Sequence, residues 1–143
     1  MKYITFLLLV TFNSVISSQE EWKKYDDGFY CGDKSKLEML QIKLGPTIIN
    51  NFFIQETSSW MVSSSRVAKL NYTATNRSSN NTYINLQIMG LDKEGQVIFA
   101  MSGGPILDVV APNSAVSDSI DTYVNSGVVN AITEICIGAF GGT

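Results

Sequence analysis

The sequence predicts a mainly β protein, an antiparallel sandwich with a short N-terminal helix, and three observations support this fold class. From Arg66 onward, apolar and polar residues alternate, which is typical of strands with one buried and one wet face. Turn-forming residues separate these segments at short, regular spacing. The chain has 143 residues, of which 45% are hydrophobic and 16% charged, and this composition suits one ordinary globular domain.

Residues 1–18 have the pattern of a secretory signal peptide. Lys2 precedes a short apolar stretch, Ile4–Phe12, and small residues follow up to Ser18. A bilayer span needs roughly 18 to 20 apolar residues, so a cleaved signal fits better than a retained anchor. Cleavage after Ser17 and cleavage after Ser18 fit equally well. We therefore expect a secreted or periplasmic protein with no membrane span once the signal is removed.

Residues 19–46 are expected to form an N-terminal arm and a short helix, ahead of a sandwich domain over residues 47–143. Aromatic residues of the arm either cover a sheet edge or the end of the core, or offer a platform for a ligand. These residues are Trp22, Tyr25, Phe29 and Tyr30. Apolar residues among good helix formers predict the helix between Lys34 and Leu44, and Gly45–Pro46 ends it.

The strands of the sandwich are predicted from segments rich in β-branched and aromatic residues. Two of them flank the polar loop Asn76–Asn81 and are expected to lie side by side. The turn Leu91–Gly95 suits a hairpin connection. In the last strand of the series, Asp118 falls on the apolar face. The expected strands are Thr47–Gln55, Arg66–Thr75, Tyr83–Met89, Gln96–Met101, Ile106–Val110 and Val116–Val124.

The segment Val128–Phe140 fits two structures. As a helix it would align apolar residues such as Ile132 and Cys136 on one side, whereas as a strand it offers a β-branched run close to glycines. We favour a turn of helix over Val128–Ala131 and a strand from Ile132.

Cys31 and Cys136 lie near opposite ends of the mature domain. In an oxidising compartment such a pair most simply forms one disulfide, which would tie the arm to the last element. Closing a loop of about 100 residues restricts the unfolded chain by roughly 4 to 5 kcal/mol on the entropic account. The alternative, a catalytic thiol, needs a neighbouring base or an unusually acidic environment, and the chain has no histidine.

The charged residues exclude several classes of function. The chain has 10 basic and 13 acidic residues and no histidine, which removes mechanisms that need an imidazole base or metal ligand. The acidic balance disfavours nucleic acid as a partner. Gly95–Thr143 contains four acids and neither Lys nor Arg, which suits either a surface for a basic partner or a solvated acidic face. We expect no cofactor and no metal.

Three stretches of the sequence resemble the FxLYD-type and LEA14-like immunoglobulin-like sandwich domains: Leu70–Ser79, Tyr83–Ile98 and Leu107–Pro112. Gly90-Leu91-Asp92 stands where those domains have Leu-Tyr-Asp, and Pro112-Asn113 stands where Pro-Gly is usual. The resemblance covers Leu70–Val124. It implies an immunoglobulin-like sandwich, and it brings no catalytic residues because these domains share none.

Two further patterns suggest chemistry, and each has a simpler interpretation. Paired carboxylates at Glu20–Glu21, Asp26–Asp27 and Asp118 with Asp121 could serve as acid and base, although solvated acids are the simpler interpretation. Ser102-Gly103-Gly104 could provide a nucleophile or an anion-binding backbone, but Pro105 leads into an apolar run where such sites need a helix. A bulge or turn is expected there.

Three Asn-x-Ser/Thr sequons begin at Asn71, Asn76 and Asn80 and cluster in the predicted hairpin and its loop. In a eukaryotic source these asparagines would be glycosylated, and a binding surface would then lie on another side of the domain. In a bacterium they carry no such meaning, and polar residues are what a hairpin loop requires.

The function expected from these observations is that of a secreted or periplasmic, non-enzymatic protein-binding module. Two candidate contacts lie in the arm, Trp22 and Tyr25. The others lie in the loop after the predicted strand Gln96–Met101 and are Ser102, Gly103, Gly104 and Pro105. Two alternatives stay open. One is a secreted inhibitor or immunity factor that blocks a basic target such as a lytic enzyme, and the other is a small hydrolase that uses the Asp118 and Asp121 carboxylates.

Overall fold

The computed structural model describes residues 22–59, 61 and 65–143. The predicted signal peptide, residues 1–18, and the first residues of the arm lie outside the described residues. The described chain is mainly β, with short helical turns at Lys34–Met39, Ile106–Asp108 and Val128–Ala131 (α1). The strands are β1 Lys23–Lys24, β2 Phe29–Asp33, β3 Ile42–Leu44, β4 Thr47–Ser58, β5 Arg66–Asn76, β6 Thr82–Leu91, β7 Val97–Gly103, β8 Val109–Val110, β9 Ser114–Val124 and β10 Glu134–Gly142.

The strands form two antiparallel sheets that stack as a sandwich. The first sheet has the order β1-β2-β10-β6-β7, with β8 pairing with β6 beyond the end of β7, and the second has the order β3-β4-β5-β9. The terminal strands β7 and β9 contact each other, so both sheets end on the same side of the sandwich. The predicted mainly β, antiparallel two-layer architecture is confirmed.

The core lies between the sheets and is built by the alternation seen in the sequence. In β5, Ala68, Leu70, Tyr72 and Ala74 point inward and are buried, and the residues between them are half-buried on the outer face. In β6 the inward residues are Ile84, Leu86 and Ile88. Burying each large apolar side chain contributes about 1.5 to 3 kcal/mol. The predicted facing of both strands is confirmed. The prediction that they lie side by side is wrong, because β5 belongs to the second sheet and β6 to the first, so the loop between them crosses from one layer to the other.

The arm is part of both sheets. The strand β2 pairs with β10, and the predicted disulfide joins Cys31 to Cys136, which lie directly opposite each other in these strands with a Cα–Cα distance of 4.0 Å. Residues 22–46 also supply β3, which pairs with β4. The arm therefore covers the edge that β10 would otherwise present.

The helix expected between Lys34 and Leu44 is shorter and tighter than predicted. A 3₁₀ helix runs over Lys34–Met39, and its first turn is capped by Asp33, whose carboxylate accepts a hydrogen bond from the backbone N–H of Ser35 at 2.8 Å. Hydrogen bonding from the side chain of Ser35, followed by that from its backbone N–H, lowers the pKa of Asp33. The strand β3 replaces the second half of the helix because apolar residues two apart, around Ile42, fit a strand beside β4.

The strand β4 is longer than predicted and contains a bulge where the asparagines interrupt it. The register with β5 shifts by one residue between Asn50 and Phe53, and Asn51 has a φ of 56°. Bulges of this kind turn the following side chains to new faces. Phe52 is therefore in the core, whereas Phe53 is 47% exposed on the outer face.

The segment after β9 adopts the favoured alternative, a helical turn followed by a strand. The carboxylate of Glu56 accepts hydrogen bonds from the backbone N–H groups of Gly127, at 3.0 Å, and Val129, at 3.3 Å. On the other side of the turn, the ammonium of Lys34 donates to the carbonyl of Val129 at 2.6 Å, and burial lowers the pKa of Lys34. The connection between the two sheets is thus anchored at both ends.

Candidate functional site

The loop Gly104–Asp108 leaves one edge of the first sheet and returns to the same edge. The strand β7 ends with Gly103 opposite Leu86, and β8 begins with Val109 opposite Tyr83. A continuous ladder would place residue 106 opposite Tyr83, so three extra residues must leave the sheet. These residues form the helical turn Ile106–Asp108, and Val109–Val110 alone is extended. The prediction that Ile106–Val110 is extended throughout is therefore wrong for its first three residues.

The base of this loop is held against β6. A Cβ on Gly104 would collide with the carbonyl oxygen of Ile84, so only glycine fits at this close approach. Pro105 is buried, and its carbonyl accepts a hydrogen bond from the N–H of Asp108 at 2.6 Å. Leu107 and Asp108 have φ values of 62° and 55°, in the left-handed region that such residues rarely adopt. Strain of this kind is found where the surrounding structure dictates the backbone.

The apex of the loop presents two apolar side chains to solvent. Ile106 is 83% exposed and Leu107 is 86% exposed, and these are the most exposed large apolar side chains of the described residues. We call this pair the apolar tip. Single exposed apolar residues are ordinary, whereas two neighbours held out on an anchored turn are a candidate contact surface.

The predicted loop contacts lie next to the apolar tip without forming its apex. Ser102 is exposed in β7, Gly103 and Gly104 are half-buried, and Pro105 is buried. The proline and glycines position the tip. The sequence did not predict the tip, because Ile-Leu-Asp-Val-Val favours a strand. The three extra residues between the positions at which β7 and β8 pair with β6 leave no pattern in the local sequence.

The two arm aromatics do not join the loop in one site. Trp22 is only 9% exposed and belongs to the core, so little of its side chain is accessible. Tyr25 is 40% exposed, and the ammonium of Lys23 lies 4.6 Å from the centre of its ring. The arm and the loop occupy opposite ends of the first sheet, since β1 and β7 are its terminal strands.

Tyr72 is the one buried ionisable side chain close to the loop among the described residues. It is 2% exposed, and its hydroxyl oxygen has no hydrogen-bond partner. Burial raises the pKa of Tyr72 far above its usual value, and the carboxylates of Asp118 and Asp108 raise the pKa further. The phenol is therefore neutral, and its position between sheets makes it part of the core.

The Asp118 and Asp121 carboxylates, proposed as acid and base, do not form a pair. Asp118 lies opposite the inward-facing Tyr72, whereas Asp121 lies opposite Lys69 on the outer face of the same sheet. Two groups on opposite faces of a sheet cannot act on one bond. Asp27 accepts a hydrogen bond from the N–H of Phe29 at 3.2 Å and shapes the turn of the arm. Glu20–Glu21 lies outside the described residues.

One cluster in the described chain brings three residues of metal-ligating types together. Donor atoms of Cys31, Glu134 and Cys136 lie within 4.8 Å of one another. The two sulfurs are bonded to each other in the disulfide, so neither is available as a thiolate ligand. This cluster therefore offers a metal only a single carboxylate.

The three sequon asparagines have different surroundings. The side-chain nitrogen of Asn76, which would carry a glycan, donates to the carbonyls of Asn80 at 2.7 Å, Val110 at 3.1 Å and Ala111 at 3.2 Å, and the residue is 1% exposed. Those contacts exclude a glycan on Asn76 in the folded domain. Asn80 is exposed, and Asn71 is half-buried on the outer face of its sheet.

The chain matches no protein-family model, no curated protein and no solved structure. Among the described residues, every helix is too short to cross a membrane. The candidate site is thus described from its geometry alone. It consists of the anchored loop Gly104–Asp108, the apolar tip at its apex, and the neutral Tyr72 in the core nearby.

Proposed function

We propose that this protein is a secreted or periplasmic, non-enzymatic protein-binding module on an immunoglobulin-like sandwich, and that the apolar tip is its principal contact. The observation that carries the proposal is the exposure of Ile106 and Leu107 on an anchored turn. Burying a large apolar side chain in a partner contributes about 1.5 to 3 kcal/mol. Two adjacent side chains that fill one pocket would supply the central contact of an interface.

The rigidity of the loop supports a binding role. The close packing of Gly104 on β6 and the buried Pro105 hold the turn in place before any partner arrives. A loop that is already ordered loses little conformational entropy on binding, and more of the contact energy then appears as affinity. The disulfide and the signal-like N-terminus support an oxidising compartment.

A second candidate is an inhibitor or immunity factor that inserts the tip into the cleft of an enzyme. The protruding apex favours it, because a convex apolar loop complements a concave site. Asp108 adjoins the tip, and residues 95–143 contain no Lys or Arg, which suits a basic target. The two candidates differ in one measurement, since only the inhibitor lowers an enzymatic activity of the captured partner.

The proposal is tested by affinity capture from the native extracellular or periplasmic fraction with the mature protein as bait. The variant is Ile106→Ser with Leu107→Ser. The matched control is Val97→Ser, which also removes an exposed apolar side chain, 56% exposed, from the other end of β7. We expect one stoichiometric partner with the wild type and the control and its loss with the double variant. Recovery of the same partner by the double variant would refute the role of the tip.

A further inference from the structure

A pocket opens on the arm side of the sandwich, between the terminal strands of the two sheets. The strand β1 ends the first sheet there and β3 ends the second, and within the described residues no ladder joins the two strands. The pocket has a volume of about 350 Å³, a size that suits a small ligand. It is lined by Trp22, Lys24, Tyr30, Lys43 and residues 39–41. We call it the arm pocket.

The arm pocket has an apolar floor and one accessible apolar wall. Trp22 is 9% exposed and Leu40 is 2% exposed, so packing between the sheets holds both side chains of the floor in place. Met39, at the end of the 3₁₀ helix, forms the wall and is 56% exposed. The exposed lining as a whole is polar and apolar in similar measure. The pocket therefore suits a ligand that has one polar and one apolar part.

The charged side chains that line the arm pocket are all positive. Lys24 and Lys43 are exposed, and the lining contains no Asp or Glu. Neither ammonium forms an ion pair with a carboxylate of the described residues. The whole chain carries 13 acidic and 10 basic residues, so two neighbouring, unpaired ammonium groups run against its overall balance. The charge of the pocket is complementary to that of an anion.

The side chain of Lys24 is held at the pocket by the arm. Lys24 lies opposite Tyr30 in the antiparallel pair of β1 and β2, and its ammonium lies 5.4 Å from the centre of the Tyr30 ring. A cation at that distance is attracted to the face of the ring. The next residue, Cys31, is bonded to Cys136 and fixes β2 beside β10. One of the two positive charges is therefore positioned before a ligand arrives, which lowers the entropic cost of binding.

An organic carboxylate fits these features better than an inorganic anion or a protein segment does. An inorganic anion would meet the ammonium groups and leave the side chain of Met39 in water, so the apolar wall would contribute nothing. A protein partner commonly covers roughly 800 Å² of surface, whereas the arm pocket is a concavity bounded by two short strands and a helical turn. A small molecule with a carboxylate at one end and an apolar body at the other uses both the charges and the wall.

We propose that the arm pocket binds a small organic carboxylate with an aromatic or short alkyl body. The carboxylate lies between the ammonium groups of Lys24 and Lys43. The apolar body lies against Met39, over the floor formed by Trp22 and Leu40. This inference goes beyond the proposed function and does not rest on it, because the arm pocket and the apolar tip lie at opposite ends of the first sheet.

The test uses 3-phenylpropionate and the mature protein labelled with nitrogen-15, at low ionic strength, where exposed charges are screened least. We expect a dissociation constant of about 1 mM or lower, with chemical-shift changes centred on residues 22–24, 30 and 39–43. 3-Phenylpropylamine has the same ring and chain with the opposite charge, and it should not bind. Acetate has the charge without the apolar body, and it should bind at least about tenfold more weakly.

Two protein variants test the charges. Lys24→Gln and Lys43→Gln should each weaken binding of 3-phenylpropionate by about two- to fivefold, the value of one exposed ion pair. The matched control is Lys93→Gln, because the side chain of Lys93 is 81% exposed and lies in the turn between β6 and β7. The control should leave the affinity unchanged, which separates ion pairing in the pocket from the net charge of the protein.

A second pair of variants tests the apolar wall. Met39→Ser should weaken binding of 3-phenylpropionate severalfold, since the ring loses the apolar surface that it covers. Met61→Ser is the matched control, because Met61 is 63% exposed and does not line the pocket. It should leave the affinity unchanged. The substituted side chains of both pairs and both controls are exposed, so each variant should keep the fold.

Several results would overturn the inference. They are the absence of binding, equal binding of 3-phenylpropylamine, shift changes confined to residues outside the arm pocket, and an unchanged affinity in both lysine variants. Tighter binding of a capped glutamate-rich peptide to the same residues would assign the pocket to a protein segment instead. A gain of about tenfold in affinity for the probe in Glu20→Gln with Glu21→Gln would assign it to carboxylates of this chain.

The arm pocket and the apolar tip are tested in separate measurements. The Ile106→Ser with Leu107→Ser variant should bind 3-phenylpropionate as the wild type does, since neither residue lines the pocket. A variant that loses the probe and still captures the protein partner would leave the role of the tip intact.

Discussion

Replacing both cysteines by alanine tests how the arm is held, and the structure gives the size of the effect. Cys31 and Cys136 are separated by 105 residues and lie opposite each other in β2 and β10. On the chain-entropy account, a loop of that length corresponds to about 16 cal/mol/K, or about 4.7 kcal/mol at 25 °C. The free energy of unfolding should fall by about 4 to 5 kcal/mol, a large part of the 5 to 15 kcal/mol typical of a domain.

The assay is urea unfolding followed by fluorescence, with linear extrapolation to water. The wild type under reducing conditions provides the matched control, since it loses the bridge and keeps both side chains. The folded variant should keep β2 in the first sheet, because five residues of β2 pair with β10 without the bridge. Its native spectrum should therefore resemble that of the wild type. A loss below about 1 kcal/mol would refute the account, and so would a native state in which β2 has left the sheet, since the bridge then acts on the folded rather than the unfolded chain.

Three further predictions concern the core and the loop. Glu56→Gln should lower the free energy of unfolding by about 1 to 2 kcal/mol, because a charged acceptor of two backbone N–H groups is lost; unchanged urea unfolding would contradict the anchoring role. Because burial raises the pKa of Tyr72 in the folded state, its phenol ionises first in the unfolded chain, at about pH 10. The contribution of neutral Tyr72 to the free energy of unfolding is therefore fully present well below pH 10 and is lost as the pH rises. Between pH 9 and pH 11 the free energy of unfolding should fall by about 1.4 kcal/mol more in the wild type than in Tyr72→Phe. Parallel pH curves for the two proteins would argue against it. Gly104→Ala should cost about 1 to 3 kcal/mol and weaken partner capture, whereas Gly142→Ala, which meets nothing within 4 Å, should be neutral; equal thermal stabilities would contradict the close packing of the loop.

The sequence predicts the parts of the fold that depend on local periodicity. Leu70 and Ile84 belong to alternating runs whose inward faces are the observed core, and even Asp118 lies on the inner face that its position in the run indicates. The pairing of Cys31 with Cys136 followed from there being two cysteines and from the oxidising compartment that the signal-like N-terminus predicts.

Features that depend on pairing between distant strands were not predicted. Ile42 fits a helix and a strand equally well, and only its neighbour β4 selects the strand. The side chain of Asn76 donates to Asn80 in the loop that follows it and to Val110 and Ala111, and no local pattern predicts the two contacts that are distant in sequence. The apolar tip arises from the spacing at which β7 and β8 meet β6, so a run typical of a strand is driven out of the sheet.

The central position of β10 has a consequence for the order of assembly. It lies between β2 and β6, about a hundred residues after β2 in the chain. At a synthesis rate of about 5 to 20 residues per second, β10 is made several seconds after β2 and β6, the two strands with which it pairs. In the oxidising compartment that we propose, the Cys31 thiol is accessible during that interval, and a mixed disulfide that it forms early must be released by exchange before the native bridge closes. Closure of the Cys31–Cys136 bridge, by exchange from a mixed disulfide whose other thiol leaves, thus reports that β10 has paired with β2.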